Sequence, residues 1–278
     1  METPTGPDIL KLSYVDLGTR PVPPPKAELW RFMDLAKLVS MLDHNALYFS
    51  VLAALDDELE GALPRVAPGA SDWDRNTARN FWCSNRATVF VNCWHSAPNE
   101  SAAMWALYAN QGVAIRTTLG LLSRAVHQRP AATPPNLDRM VVGGMVAYTD
   151  PDEIAQPELR TPFQTALKKR WWYTYEQEFR LIYHLQSNAV RPRSGLDVQT
   201  EAKPERMGVW VSCDLSKAIT AIALAPFSPP FLEEAVKAVC GKFGLDSSIV
   251  KRSRIEEGAP TPPSAFSLAD VAMGRTSR

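Results

Sequence analysis

Apolar residues along the chain gather into two kinds of segment. Short runs rich in Val, Ile, Phe, Tyr and Trp predict strands at Glu28 to Phe32, Ala46 to Ser50, Thr88 to Trp94, Gly112 to Thr117, Val141 to Tyr148, Phe179 to His184, Val209 to Ser212 and Ile219 to Ala225. Between them, Leu35, Leu38, Val39 and Leu42 recur at helical spacing behind Asp34, whose carboxylate suits an N-cap. A second helix carries Ala102, Met104, Trp105 and Tyr108 on its apolar face, with Asn99 or Ser101 as its cap. A third, Phe231 to Phe243, stops at Gly244, a residue suited to the left-handed position after a helix.

Strands and helices mix without strict β-α-β alternation. The expected class is therefore α+β, a single domain with a mixed or largely antiparallel sheet and flanking helices. Its expected bounds are residues 27–256, after a proline-rich arm over 1–26 and before a loose tail over 257–278. Six of the 23 prolines fall in the first 25 residues. Further prolines cluster at 130 to 135, 151 to 162, 226 to 230 and 260 to 263, where they predict loops.

Charge narrows the function classes. Thirty basic and thirty acidic residues cancel to a formal net charge of zero, so no global field favours nucleic acid or an anionic membrane. No apolar stretch reaches the roughly 18 residues of a membrane span, and the first residues lack the pattern of a secretory signal, so a cytoplasmic location is expected. Cys83, Cys93, Cys213 and Cys240 form no C-x-x-C pair and read as buried thiols. His44, His95, His127 and His184 are scattered singly, without metal-ligand spacing, and no metal cofactor is expected.

Two segments concentrate chemistry. Cys93 to Tyr108 runs from a strand end through a polar turn into an aromatic helix; Trp94, Trp105 and Tyr108 are either core or pocket, and His95 and Glu100 either hold a ligand or satisfy local hydrogen bonds. Lys168 to His184 sets Lys168, Lys169 and Arg170 beside Trp171 and Trp172, then places Glu176 and Glu178 before an apolar strand. On a strand those two carboxylates would face one side and push their pKa values apart. The plainer alternative pairs them with Lys168, Lys169 or Arg180 on a solvated face.

Read in order, Leu29-Trp30-Arg31-Phe32, Ala46 to Ser50, Asp56 to Gly61, Cys93-Trp94 with Glu100 to Tyr108, Gly112 to Ile115 and Tyr175 to Arg180 resemble the bacterial domain-of-unknown-function family 2971, over about residues 28 to 254. More distantly, Arg31, Ser50 and the Glu176/Glu178 pair resemble the arginine, serine and E-x-E elements of ADP-ribosyltransferases. That resemblance implies an ADP-ribosyltransferase-like fold and NAD as substrate, held by Arg31 at its phosphates or ribose and by Ser50 at the nicotinamide ribose. It gives Glu178 the ribose 2′-hydroxyl and Glu176 the acceptor, with Tyr48, Trp94 or Trp105 stacked on nicotinamide. It implies a macromolecular acceptor and a toxin or phage-defence role, with an antitoxin or other regulatory partner. The chain departs from the pattern where Ser50 is followed by Val51-Leu52. Two other classes stay open: a non-catalytic ligand- or protein-binding module built on Trp94 to Tyr108, and a nucleic-acid-processing effector using Lys168 to Trp172.

Overall fold

In a computed structural model of the protein, residues 13–14, 21–57, 60, 69–126, 141–150, 161–185 and 204–257 are described. His127, the proline clusters at 130 to 135, 151 to 160 and 260 to 263, most of the 1–26 arm and nearly all of the 257–278 tail lie outside them. The described strands are β1 (Ser13–Tyr14), β2 (Glu28–Met33), β3 (Ala46–Val51), β4 (Val89–Ser96), β5 (Val113–Thr118), β6 (Val141–Met145), β7 (Ala147–Thr149), β8 (Lys168–Arg170), β9 (Glu178–His184), β10 (Gly208–Ser212), β11 (Ala221–Leu224) and β12 (Val250–Arg252). The α-helices are α1 (Leu35–His44), α2 (Asp72–Thr88), α3 (Ala102–Tyr108), α4 (Leu119–Ala125), α5 (Pro162–Ala166), α6 (Leu215–Ala218) and α7 (Pro230–Lys242).

The main sheet runs β1-β6-β9-β4-β2-β5-β11-β12, with β3 and β10 branching from β4. Its ladders are antiparallel except β1 with β6 and β11 with β12. The protein is thus α+β with a large, mostly antiparallel open sheet and flanking helices. Leucine, methionine and valine side chains of α1, α4, α6 and α7 pack with Leu29, Phe49, Phe90, Trp94, Phe179 and Leu181 into the main core. On the opposite face α3 covers Trp30 and Ala114, and α5 covers Val91 and Ile182.

Local chemistry explains most boundaries. Asp34 caps α1 through the Lys37 N–H, and the helix ends on Asn45 in the left-handed region, φ 44°. Ser101, not Asn99, caps α3. Gly244 follows α7 with φ +73°, where a side chain would be strained. The expected strand Val141 to Tyr148 is two strands: Val146 makes the last in-register bond to β9, its N–H donating to the Glu178 carbonyl, and from Ala147 the chain pairs with β8 in a separate two-stranded sheet. The expected strand from Ile219 begins only at Ala221, because Ile219 closes α6.

One irregularity positions the site. The edge of β4 is shared by two partners, β3 at Phe90 and Val91 and β2 at His95 and Ser96, so β2 and β3 diverge from it like a fork. The Tyr48 carbonyl sits in that fork without a ladder partner on this side. It accepts the Asn92 side-chain amide at 2.8 Å and Arg31 Nη2 at 3.4 Å.

Candidate functional site

A cavity of about 610 Å³ opens at the fork, within the size range of small-molecule sites. Both faces of the sheet contribute to it. Met33, Met41 and Trp94 come from the side of the main core, and Val91 and Cys93 from the other. Strand alternation puts Arg31 with Leu29 and Met33, and Glu178 with Arg180 and Ile182, so the arginine and the glutamate approach the cavity from opposite sides of the sheet.

Glu178 opens β9 and Glu176 ends the 3-10 helix Trp171–Glu176. The i, i+2 strand geometry expected for the pair is therefore incorrect. Gln177 between them adopts the left-handed conformation, φ 41°, and it is this reversal that turns both carboxylates toward Lys169. The turn is held by His95, whose Nδ1 lies 2.6 Å from the Glu176 carbonyl, by the Ser96 N–H on the Gln177 carbonyl, and by the Tyr148 hydroxyl, which accepts the Glu178 N–H at 2.8 Å. Burial pushes His95 down, and the bond to the carbonyl only partly opposes this, so the ring is neutral and its Nδ1–H donates.

The carboxylates are not on a solvated face. Glu60, Glu176, Glu178 and Arg180 are all buried, and Lys169 is nearly so. Lys169 Nζ lies 2.6 Å from Glu176, 3.1 Å from Glu60 and 3.6 Å from Glu178. Arg180 reaches Glu178 twice at 2.8 Å, Glu60 at 2.5 Å and the Ala166 carbonyl at 2.7 Å. Beside this group Arg170 pairs with buried Asp57 at 2.9 Å. Two cations thus meet three carboxylates in a low-dielectric pocket, and the surplus charge falls on one of them. Burial and the charge of Glu178 push Glu176 up, and Lys169 and the Tyr108 hydroxyl only partly offset this. Burial opposes the charge of Glu178 too, but Arg180 and Lys169 outweigh it and hold its carboxyl down at about 2. One carboxylate stays ionised while its neighbour can carry a proton, the division of labour found in paired-carboxylate sites. Cys93 adds no nucleophile, since burial and then Glu178 drive its thiol far above the usual range.

Arg31 is the opposite pole. No carboxylate pairs with it among the described residues; Nη2 makes only the 3.4 Å bond to Tyr48, Nη1 is buried without a partner, and the guanidinium lies 6.0 Å from the Trp94 ring centre. Burial lowers its pKa, the expected sign for a cation with no anion beside it. Tyr48 and Trp210 form an aromatic wall nearby, with ring centres 5.0 Å apart, and Trp210 stacks on His44 at 4.0 Å.

No protein-family model matches the chain, and no curated protein or solved structure matches it.

Of the residues singled out in the sequence, Arg31, Tyr48, Ser50, Trp94, His95, Glu176 and Glu178 line this one cavity. Glu100 and Trp105 do not. Glu100 accepts hydrogen bonds from Trp105 Nε1 at 2.9 Å, the Ser253 hydroxyl at 2.5 Å and the Arg254 N–H at 2.9 Å, tying α3 to the end of β12. Trp105 is buried edge-on against Phe32. Tyr108, read as core or pocket, also lines the cavity; sequence reasoning missed Asp57, Glu60, Tyr148 and Trp210 as site groups, and only the acidic run from Asp56 hinted at the first two. Among the described residues no group of three His, Cys, Asp or Glu side chains is arranged to hold a metal ion, and no helix is long and apolar enough to cross a membrane.

Proposed function

We propose that the cavity binds a nucleotide-class ligand, NAD in the first instance, and transfers its ADP-ribosyl group to a macromolecule. The observation that carries this reading is the half-buried Arg31, whose guanidinium has no counter-ion among the described residues and whose Nη1 is buried without a partner, on the wall of a cavity that also takes in aromatic rings and the Glu176/Glu178 pair. An unpaired buried cation is costly for a protein to keep and gains its partner when an anionic ligand arrives. Phosphate at Arg31 and a flat ring against Trp94, Tyr48 or Trp210 would leave the ribose to reach Ser50 and the carboxylates. The sugar–nitrogen bond then breaks with its electron pair leaving on nicotinamide. Ionised Glu178 stabilises the oxocarbenium-like sugar, the acceptor's oxygen or nitrogen bonds to the anomeric carbon, and its proton passes to Glu176.

The reaction in this reading comes from the resemblance of Arg31, Ser50 and Glu176/Glu178 to ADP-ribosyltransferases; the resemblance to family 2971 implies no reaction. A cytoplasmic toxin or defence role under a regulatory partner belongs to the same proposal. The deciding measurement is nicotinamide release from NAD by the purified protein with a bacterial lysate as acceptor. Release that disappears in Glu176→Gln and Arg31→Met supports the transferase; absence of both release and any NAD-induced shift in Tm rejects it.

A second reading rests on a specific feature. Both Glu178 oxygens are already engaged by Arg180. In a binding module that ion cluster would be a rigid floor and the ligand would contact only Arg31 and the aromatic wall. NAD would then raise Tm without being cleaved, and Glu176→Gln would leave the shift intact.

A further inference from the structure

The Glu176 carboxyl has two side-chain hydrogen-bond partners, and they differ in what lies behind them. Lys169 Nζ approaches Oε2 from within the ion cluster. The Tyr108 hydroxyl donates to Oε1 at 2.8 Å from the end of α3, and Tyr108 is 44% exposed, so its ring spans from solvent to a carboxyl that is 4% exposed. Tyr108 also lines the cavity. When a ligand fills that space, the protein groups leading from Glu176 to water run through the phenol.

We infer that Tyr108 is a positioning residue for Glu176, holding its carboxylate ready to accept a proton and passing that proton on to solvent. The inference rests on Glu176 being the acid–base group of the reading above. The step balances: the proton gained by Glu176 moves from Oε1 to the phenol oxygen while the phenol's own proton leaves to water, and neither tyrosinate nor any external reagent is needed. The groups facing Glu176 are Lys169 from β8, Glu178 from β9, Tyr108 from α3, Tyr175 from its own 3-10 helix and Tyr148 from β7, with His95 of β4 on its carbonyl; Glu60 and Arg180 act through Lys169 and Glu178. Of these, Tyr108 alone is a neutral donor bonded to the carboxylate, and such a donor favours the ionised form.

Tyr108→Phe tests this, because it keeps the ring and deletes only the hydroxyl. Carbon-detected NMR titration of the full-length protein, with labelled glutamate and Glu176→Gln to assign the signal, should show Glu176 titrating at higher pH in Tyr108→Phe. Tyr175→Phe, whose hydroxyl makes no bond to Glu176, should leave it unmoved. In nicotinamide release from NAD, Tyr108→Phe should lower kcat by about 10²-fold with little change in KM, and move the acid limb of the pH profile upward, within the range of positioned proton transfer. An unshifted Glu176 titration overturns the inference whether or not NAD is cleaved. An unmodified protein that cleaves no NAD, yet whose Glu176 titration moves in Tyr108→Phe, upholds the Tyr108–Glu176 coupling and defeats the transferase reading instead.

Discussion

Arg180 grips Glu178 twice from two residues along the same strand, Nε to Oε1 and Nη2 to Oε2, each at 2.8 Å. Neighbours at i and i+2 share one face of a strand, and the planar guanidinium matches both carboxylate oxygens at once. Because Arg180 is completely buried, removing its partner strands a charge in the interior. Glu178→Gln should therefore cost about 3–5 kcal/mol of stability in urea unfolding, and Glu178→Gln with Arg180→Met should recover much of it. A single-variant loss below about 1 kcal/mol would mean that Glu60 and the Ala166 carbonyl suffice for Arg180.

The two carboxylates make opposite contributions to pH dependence. Glu178 titrates lower folded than unfolded, so its stabilisation is fully present above the ordinary glutamate value of about 4.3 and is lost as pH falls toward about 2. Glu176 is shifted upward, so its ionisation opposes folding once pH exceeds its raised value. Glu176→Gln should consequently hold or raise Tm at neutral pH while Glu178→Gln lowers it. Equal losses in both variants would contradict the division of charge between them.

Much of the scaffold was legible and the site only in part, for identifiable reasons. Strand positions followed from β-branched and aromatic runs, and α1 from its period and the Asp34 cap. The 17-residue helix α2 was missed because its first turns, Asp-Trp-Asp-Arg-Asn-Thr onward, are mostly polar and Phe81, Trp82 and Cys83 fall side by side rather than at helical spacing; the capping box of Ser71 and Asp74 was the available signal. The acidic pair was visible, but its partners were not. Asp57 meets Arg170 across 113 positions, and Arg86 of α2 reaches the carbonyls of Ala53, Asp57 and Glu60 to hold that segment against the cluster. Such meetings depend on how the sheet forks at β4, which no local pattern encodes.

Arg31 offers a separation of function from stability. With no ion pair among the described residues and one buried unpartnered nitrogen, it contributes little to holding the fold. Arg31→Met should leave Tm unchanged or raise it, since an apolar chain of similar length replaces a desolvated charge, while abolishing any NAD-dependent rise in Tm. A marked drop in the Tm of the ligand-free protein would instead make Arg31 a structural strut of the fork.

Gln177 should respond to backbone freedom rather than to side-chain chemistry. Its left-handed conformation costs an L-residue about 1–2 kcal/mol, which glycine avoids at the expense of extra freedom in the unfolded chain. Gln177→Gly should be neutral or stabilising by up to about 1 kcal/mol. Gln177→Val, with a β-branched side chain at φ 41°, should destabilise and pull Glu176 away from Lys169, visible as a loss of the upward Glu176 titration. If valine is tolerated as well as glycine, the turn is not what aligns the pair.

Glu100 provides the control that separates scaffold from site. Its carboxylate joins α3 to the segment after β12 through bonds from Trp105, Ser253 and Arg254, yet it lies outside the main cavity. Glu100→Ala deletes the acceptor and leaves the buried Trp105 indole N–H and the Ser253 hydroxyl unpaired, at about 1–3 kcal/mol for each buried group left unsatisfied. Thermal unfolding should show that loss, and hydrogen exchange should rise along α3 and β12. The ligand-induced shift should persist at the same NAD concentration, because Arg31 keeps its bond to Tyr48, Trp94 its bond to Asn92, and the Glu176/Glu178 turn its supports in His95, Ser96 and Tyr148. Loss of the NAD response with Tm unchanged would move Glu100 from the scaffold into the binding machinery and place the ligand against the smaller pocket between Trp30, Arg116 and Arg254.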